Sequence, residues 1–189
     1  MNLRSIIIAA AAVACVGVAV NAEVHPHAIG LRFGGGWGEI NYQMGMGSDN
    51  RLEFGLSGHS SRDNSRYYGY PYNRNYWTTH NSLGVYGAYQ WYWNISPSFA
   101  RGGFNWYVGP GGGVGFWSNT TEYPDRQNDN NSGINIGVGG QIGIEYDFNV
   151  LGAPLVLDID SRLGIISLST TGVGIGVGFD LALGFRYTF

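Results

Sequence analysis

The sequence predicts an all-β chain, an eight-stranded antiparallel transmembrane β-barrel with short turns at one end and two long loops at the other. Three observations predict it. Apolar residues alternate with small or polar ones far beyond the length of an ordinary soluble strand, which is about five or six residues. The 189 residues include 32 glycines and 15% aromatic but only 12% charged side chains, a mixture that strands and turns tolerate and helices do not. Finally, the connections between the alternating segments are short and long by turns, as in membrane barrels.

The chain opens on a segment that reads as a secretory signal. Arg4 supplies the basic start, 6–20 the apolar stretch, and Val20-Asn21-Ala22 a small-residue cleavage pattern. Residues 1–22 are therefore expected to be removed, leaving 23–189 as one barrel domain. The stretch is short for a spanning helix, which needs about 20 apolar residues. Cys15, the single cysteine, lies within it, so the mature chain is expected to hold no disulfide. Every basic side chain is arginine, and the formal charge is -3, which disfavours nucleic acid as a partner.

Eight strand segments follow, at about 28–36, 38–46, 51–60, 79–93, 104–117, 133–148, 154–166 and 174–189. The last is the clearest: Ile175, Val177, Phe179, Leu181, Leu183, Phe185, Tyr187 and Phe189 alternate with glycines, Asp180, Ala182, Arg186 and Thr188. A similar pattern covers Ile134 to Phe148. An even count suits closure. The connections are tight near Gly36, short at 47–50, long at 61–78 and at 118–132, and short at 149–153. The long ones are rich in Asn, Asp, Ser and Tyr, which suits solvent.

In hydrocarbon every backbone N–H and C=O needs a partner from another strand, so a sheet crosses a membrane only when closed. The apolar parity then faces lipid. Tyr89, Trp91, Trp93, Phe104, Trp106, Tyr146 and Phe148 fall on that parity near the short-turn end, the place of an interfacial aromatic girdle. Arg32, Glu53, Glu145, Asp158, Asp160, Arg162, Asp180 and Arg186 fall on the opposite parity. Eight strands leave an interior only wide enough for side chains to fill, so these eight are expected to pair with one another as a lumen charge network. A diffusion porin would need about 16 strands.

The terminal Phe-Arg-Tyr-Thr-Phe, with Phe185, Tyr187 and Phe189 at alternate positions, resembles the strand by which outer-membrane barrels are recognised by the barrel-assembly machinery. With the segments 28–35, 105–113 and 139–149, the chain from about Ala28 to the end resembles the small bacterial outer-membrane β-barrel or "porin family" proteins. The resemblance implies a fold and a place, with periplasmic turns, extracellular loops, and membrane lipid and lipopolysaccharide as surroundings, but no activity. Such proteins often carry Asp-x-Arg-Pro in the seventh strand. Here Asp160-Ser161-Arg162-Leu163 lacks the proline, which leaves the local bend open.

At the loop end, His59 and His80 share lumen parity on adjacent strands, with Ser57, Ser60, Ser82 and Asp63 nearby. Two histidines could serve metal binding or lipid-ester hydrolysis, but without a third ligand or a nucleophile signature they read as rim residues. Tyr67, Tyr68, Tyr70, Tyr72, Tyr76 and Trp77 crowd one loop with Arg62, Arg66 and Arg74, a composition suited to a glycan, lipopolysaccharide or host-protein surface. His25 and His27 lie in the mature N-terminal tail, where no role is expected. The sequence thus predicts a monomeric, non-enzymatic surface protein with no cofactor, no catalytic residue and no metal site; the alternatives are a membrane-embedded lipid-modifying enzyme and a small-conductance pore through the charged lumen.

Overall fold

The computed structural model describes residues 24–34, 37–69, 72–95, 103–123, 127–169 and 172–189, with the backbone alone described over 66–69, 72–75, 165–169 and 172–178. The expected signal segment, 1–22, lies outside these residues. The elements are β1 (His27–Gly34), β2 (Trp37–Gly45), β3 (Asn50–Gly69), β4 (Tyr72–Asn94), β5 (Phe104–Glu122), β6 (Asp129–Asp147), a 3-10 turn (Phe148–Leu151), β7 (Leu155–Ser169) and β8 (Gly172–Thr188). Each strand pairs antiparallel with the next, and β8 returns to β1 from Ala28↔Thr188 to Phe33↔Leu183, closing the barrel.

The ring is staggered. Following partners from Ala28 through Gln43, Glu53, Ala88, Gly111, Gly139, Gly164 and Gly178 leads back to β1 at a position ten residues beyond Ala28. That shear tilts the strands by roughly 40° for eight strands. Between Gly164 and Ile166 the register of β7 shifts against both neighbours: β7 carries one residue more than β6 there, and β8 one more than β7. This irregularity begins two residues after Arg162, and such bulges bend a strand locally.

Alternation sorts the two faces as the sequence predicts. Leu31, Phe54, Val85, Phe116, Ile136, Ile144, Ile159 and Leu183 stand exposed on the outside, whereas Arg32, Glu53, Gln90, Glu145, Asp158, Asp160 and Arg186 are buried. A soluble sandwich would show the reverse, so the outer solvent is hydrocarbon. The band has sharp limits. Leu83, Phe116 and Ile134 pair across β4, β5 and β6, and the next outward row is Asn81, Ser118 and Ser132. From Ile134 to Tyr146 the band is roughly 30 Å tall at about 3.3 Å per residue and this tilt.

The two long connections differ from expectation in form. Residues 61–69 and 72–78 continue β3 and β4 as a paired ribbon from Ser61↔His80 to Gly69↔Tyr72. Residues 118–121 and 129–132 likewise extend β5 and β6. The excursions are real, but they are sheet rather than open loop. Above the lipid both faces are wet, so polarity no longer alternates, yet the backbone still gains from its ladder.

The two ends of the barrel are unequal. Counted along the strands, the short-turn ends are nearly level. At the other end β1 and β2 stop at Gly34↔Trp37, roughly 20 Å up, while the other six strands run roughly 35–50 Å. The β1–β2 corner therefore ends roughly 10 Å below the upper limit of the apolar band.

Candidate functional site

Inward parity brings polar side chains from all eight strands onto one axis. Lowest, Arg51 meets Glu145 at 2.8 Å with its guanidinium over the rings of Tyr92 and Tyr107, and the Tyr92 hydroxyl donates to Glu145. Above it, Arg186 bridges Asp158 at 2.8 Å and Glu53 at 3.3 Å, while the Tyr107 hydroxyl donates to Asp158 at 3.0 Å. The amides of Gln43 and Gln141 donate to Glu53 at 2.6 and 3.2 Å. Higher still, Arg162 forks onto Glu39 at 2.6 and 2.7 Å, reaches Glu53 at 2.9 Å and lies 3.7 Å over Tyr86. Arg32 holds Asp160 with two nitrogens, reaches Asp180 at 2.8 Å and lies over Trp37.

Four arginines thus face six carboxylates: Glu39, Glu53, Glu145, Asp158, Asp160 and Asp180. The structure brings all eight sequence-predicted lumen residues into this one network. Sequence reasoning passed over Glu39, Arg51, Gln43, Gln90, Gln141, Tyr92 and Tyr107. The signal was the alternation itself, since Tyr92 sits between the outward Trp91 and Trp93 and must point in. Close packing leaves no room for further side chains: a Cβ on Gly143 would enter the Tyr107 ring, and one on Gly184 the Asp158 carboxylate. Arg32, Glu53, Gln90 and Tyr107 have no exposure, so side chains fill the cross-section at this level.

The aromatic residues form a connected belt at the short-turn end. Trp93 stacks on Trp106 at 4.5 Å, Phe104 meets Tyr146 at 4.7 Å, Tyr146 meets Phe148 at 4.7 Å, and Tyr89 meets Trp91 edge-on. Tyr187 stacks on Phe189, and Phe189 on His27. The N-terminal tail corrects the sequence reading. Val24 is buried with Tyr92 and Tyr107, His25 Nε2 lies 2.6 Å from Asp147, and His27 Nδ1 lies 2.7 Å from the Tyr42 hydroxyl. Residues 24–26 close the lower mouth, leaving a void of about 10 Å³ beside Arg51 and Tyr92.

At the upper end the histidines part company. His80 Nδ1 lies 2.7 Å from Asn119, with Asp63 3.9 Å from its Nε2. His59 pairs in register with Ser82 and lines the space above Arg162. Ser60 falls on the opposite face, bonded to Asn81. Among the described residues no group of three His, Cys, Asp or Glu could hold a metal. Above Arg162 the lumen widens into two adjoining cavities of about 300 and 360 Å³ that share Ser57, Arg162 and Asp180.

On the outer face of the ribbon, Arg62 lies over Trp77 at 4.9 Å and bridges Glu122 at 2.8 Å, tying β3, β4 and β5. On its other face Tyr76 packs against Tyr123 at 5.6 Å. Tyr70 and the side chains of Tyr67, Tyr68 and Tyr72 lie outside the described residues.

No protein-family pattern matches the chain, and no curated protein matches it. Solved structures do. The attachment invasion locus protein Ail of Yersinia pestis, crystallised with the heparin analogue sucrose octasulfate, superposes with TM-score 0.50 at 9% identity, over 86% of this chain and 94% of that one. This chain has the fold of the small eight-stranded bacterial outer-membrane barrels. Neisserial surface protein A gives TM-score 0.47 at 15% identity over 86% and 93%, and Acinetobacter baumannii CarO gives 0.41 at 9% over 88% and 98%. At such identities the likeness concerns the fold, and the chemistry of the site must be read from this chain's own side chains.

Proposed function

We propose that this chain is an exported bacterial outer-membrane protein whose barrel is a filled scaffold and whose external ribbon binds a surface ligand, without enzymatic activity. In this reading residues 1–22 are the cleaved signal, the level short-turn end is periplasmic, and β3 to β6 rise outside the cell. The single observation that carries it is the continuation of four strands well past the apolar band, with Arg62, Trp77 and Glu122 locked together on the outer face. A rigid aromatic and arginine surface loses little entropy when it engages a glycan, lipopolysaccharide or host protein. The girdle holds the barrel in lipid, and Phe185, Tyr187 and Phe189 serve the barrel-assembly machinery. A chain lacking Phe189 is expected to insert more slowly in the presence of that machinery.

The register offers a clean test of the ribbon. Because Ser61 pairs with His80, deleting 62–77 leaves Thr78 and Thr79 as a two-residue turn between them, so the barrel below need not change. Intact and shortened proteins in detergent are offered immobilised lipopolysaccharide and a sulfated glycan. Binding by the intact protein that falls at least tenfold in the shortened one is expected. Equal binding by the two, or none by either, would remove the ribbon from this role.

A further inference from the structure

The uneven rim has a second consequence, at the β1–β2 corner. Pairing between β1 and β8 runs up to Phe33↔Leu183, and between β2 and β3 up to Gly38↔Gly58. Above these pairs β8 and β3 continue, among the described residues, with no strand on the facing side, at a height still within the apolar band. Phe179 and Leu181 on β8 stand exposed there. Unpaired backbone at membrane depth is tolerated only where something polar satisfies it. This gap in the wall must therefore hold water or a polar group, although lipid chains border it.

Behind the gap lies the vestibule above Arg162. Trp37 and Asp180, both inward, line it at the height of the corner, with His59 and Ser57 beside them. The charged groups there are not equivalent. The two terminal nitrogens of Arg162 are committed to Glu39 and Glu53. Among the described residues Asp180 receives Arg32 and the Arg162 backbone N–H on Oδ1 alone, and its side chain stays 35% exposed. Arg32 already covers one face of the Trp37 ring at 4.6 Å and holds Asp180 Oδ1. The six lumen carboxylates nonetheless outnumber the four arginines, and Asp180 is the exposed one, a balance that favours a cationic head over the other ring face and on Asp180 Oδ2.

We infer that the vestibule is a binding site entered sideways from the outer half of the bilayer, and that it takes the ammonium head of a single-chain amphiphile whose tail remains in lipid. The head would donate to Asp180 and to carbonyls of the open β8 and β3 edges, while the tail passes over the β1–β2 corner beside Phe179 and Leu181. Sideways entry spares the tail any passage through water, which is why the proposal specifies an amphiphile rather than a small soluble cation.

The test uses the whole barrel in phosphatidylcholine nanodiscs and reads the indole ¹⁵N–¹H resonance of Trp37, assigned with Trp37→Phe; Trp93 in the lower girdle serves as reference. Dodecylammonium, ethylammonium and dodecanol are titrated separately. Dodecylammonium alone is expected to give a saturable shift at Trp37. Its midpoint should rise at least tenfold in Asp180→Asn, where Asp160 still holds Arg32. Gly164→Leu should weaken the shift, because a Cβ there meets nothing within 4 Å and the added side chain enters the adjoining cavity that shares Ser57, Arg162 and Asp180 with the site. Correct folding of both variants is checked by an unchanged Trp93 resonance. An equal response to ethylammonium would overturn lateral entry, an equal response to dodecanol would overturn recognition of the head, and no saturable shift, or one that either variant leaves intact, would overturn the site.

Discussion

Replacing Arg186 with methionine is expected to destabilise the barrel by about 3–5 kcal/mol, the usual cost of leaving buried carboxylates without their cation. Arg186 stands wholly buried among Asp158, Glu53 and Glu145, and among the described residues no other arginine reaches Asp158. Urea unfolding of the folded barrel, followed by tryptophan fluorescence, measures the change. Arg62→Met is the control: its bridge to Glu122 is about half exposed, and such pairs contribute about 0–1 kcal/mol. Adding Asp158→Leu to Arg186→Met should recover part of the loss, because it removes one stranded charge. A loss under about 1 kcal/mol for Arg186→Met would mean that the lumen is hydrated rather than packed.

The second large effect concerns the outer face. Ile142→Arg places a charge near the middle of the apolar band and is expected to cost about 2–4 kcal/mol in a bilayer, against about 0–1 kcal/mol for Ser132→Arg beyond its edge. Both positions lie on the outward face of β6, so strand propensity and pairing are shared, and depth alone separates them. The same unfolding assay in lipid vesicles gives the comparison. Equal costs at the two positions would place the boundary somewhere other than between Ile134 and Ser132.

How much of this was legible beforehand depended on where alternation carried information. On β8 and the lower part of β6, lipid on one side and packed charge on the other enforce a strict period of two, and strand, face and lumen residue can all be read directly. Above Ser118 and Ser132, water touches both faces and the pattern vanishes, so the ribbons read as loops although their ladders persist. Within the lumen, parity marks Arg51 and Glu39 as inward, but the choice of Glu145 for one and Arg162 for the other depends on a ten-residue stagger that no single strand displays. His25 and His27 were illegible for the same reason. Tyr42 comes from the neighbouring β2, but Asp147 and Phe189 are brought to them from the far end of the chain by closure of the ring.

The central claim, hydrocarbon outside and packed polar side chains inside, is tested most directly by spin labels on β6. The only cysteine lies at position 15, so single cysteines at 141, 142, 144 and 145 can be labelled in chains without the first 22 residues and reconstituted in vesicles. Collision with oxygen and with a water-soluble nickel chelate is then read at each position. Labels at 142 and 144 should meet oxygen freely and the chelate hardly at all, while those at 141 and 145 meet neither. Free access of the chelate at 142 and 144 would show water on the apolar face, and the account would fail.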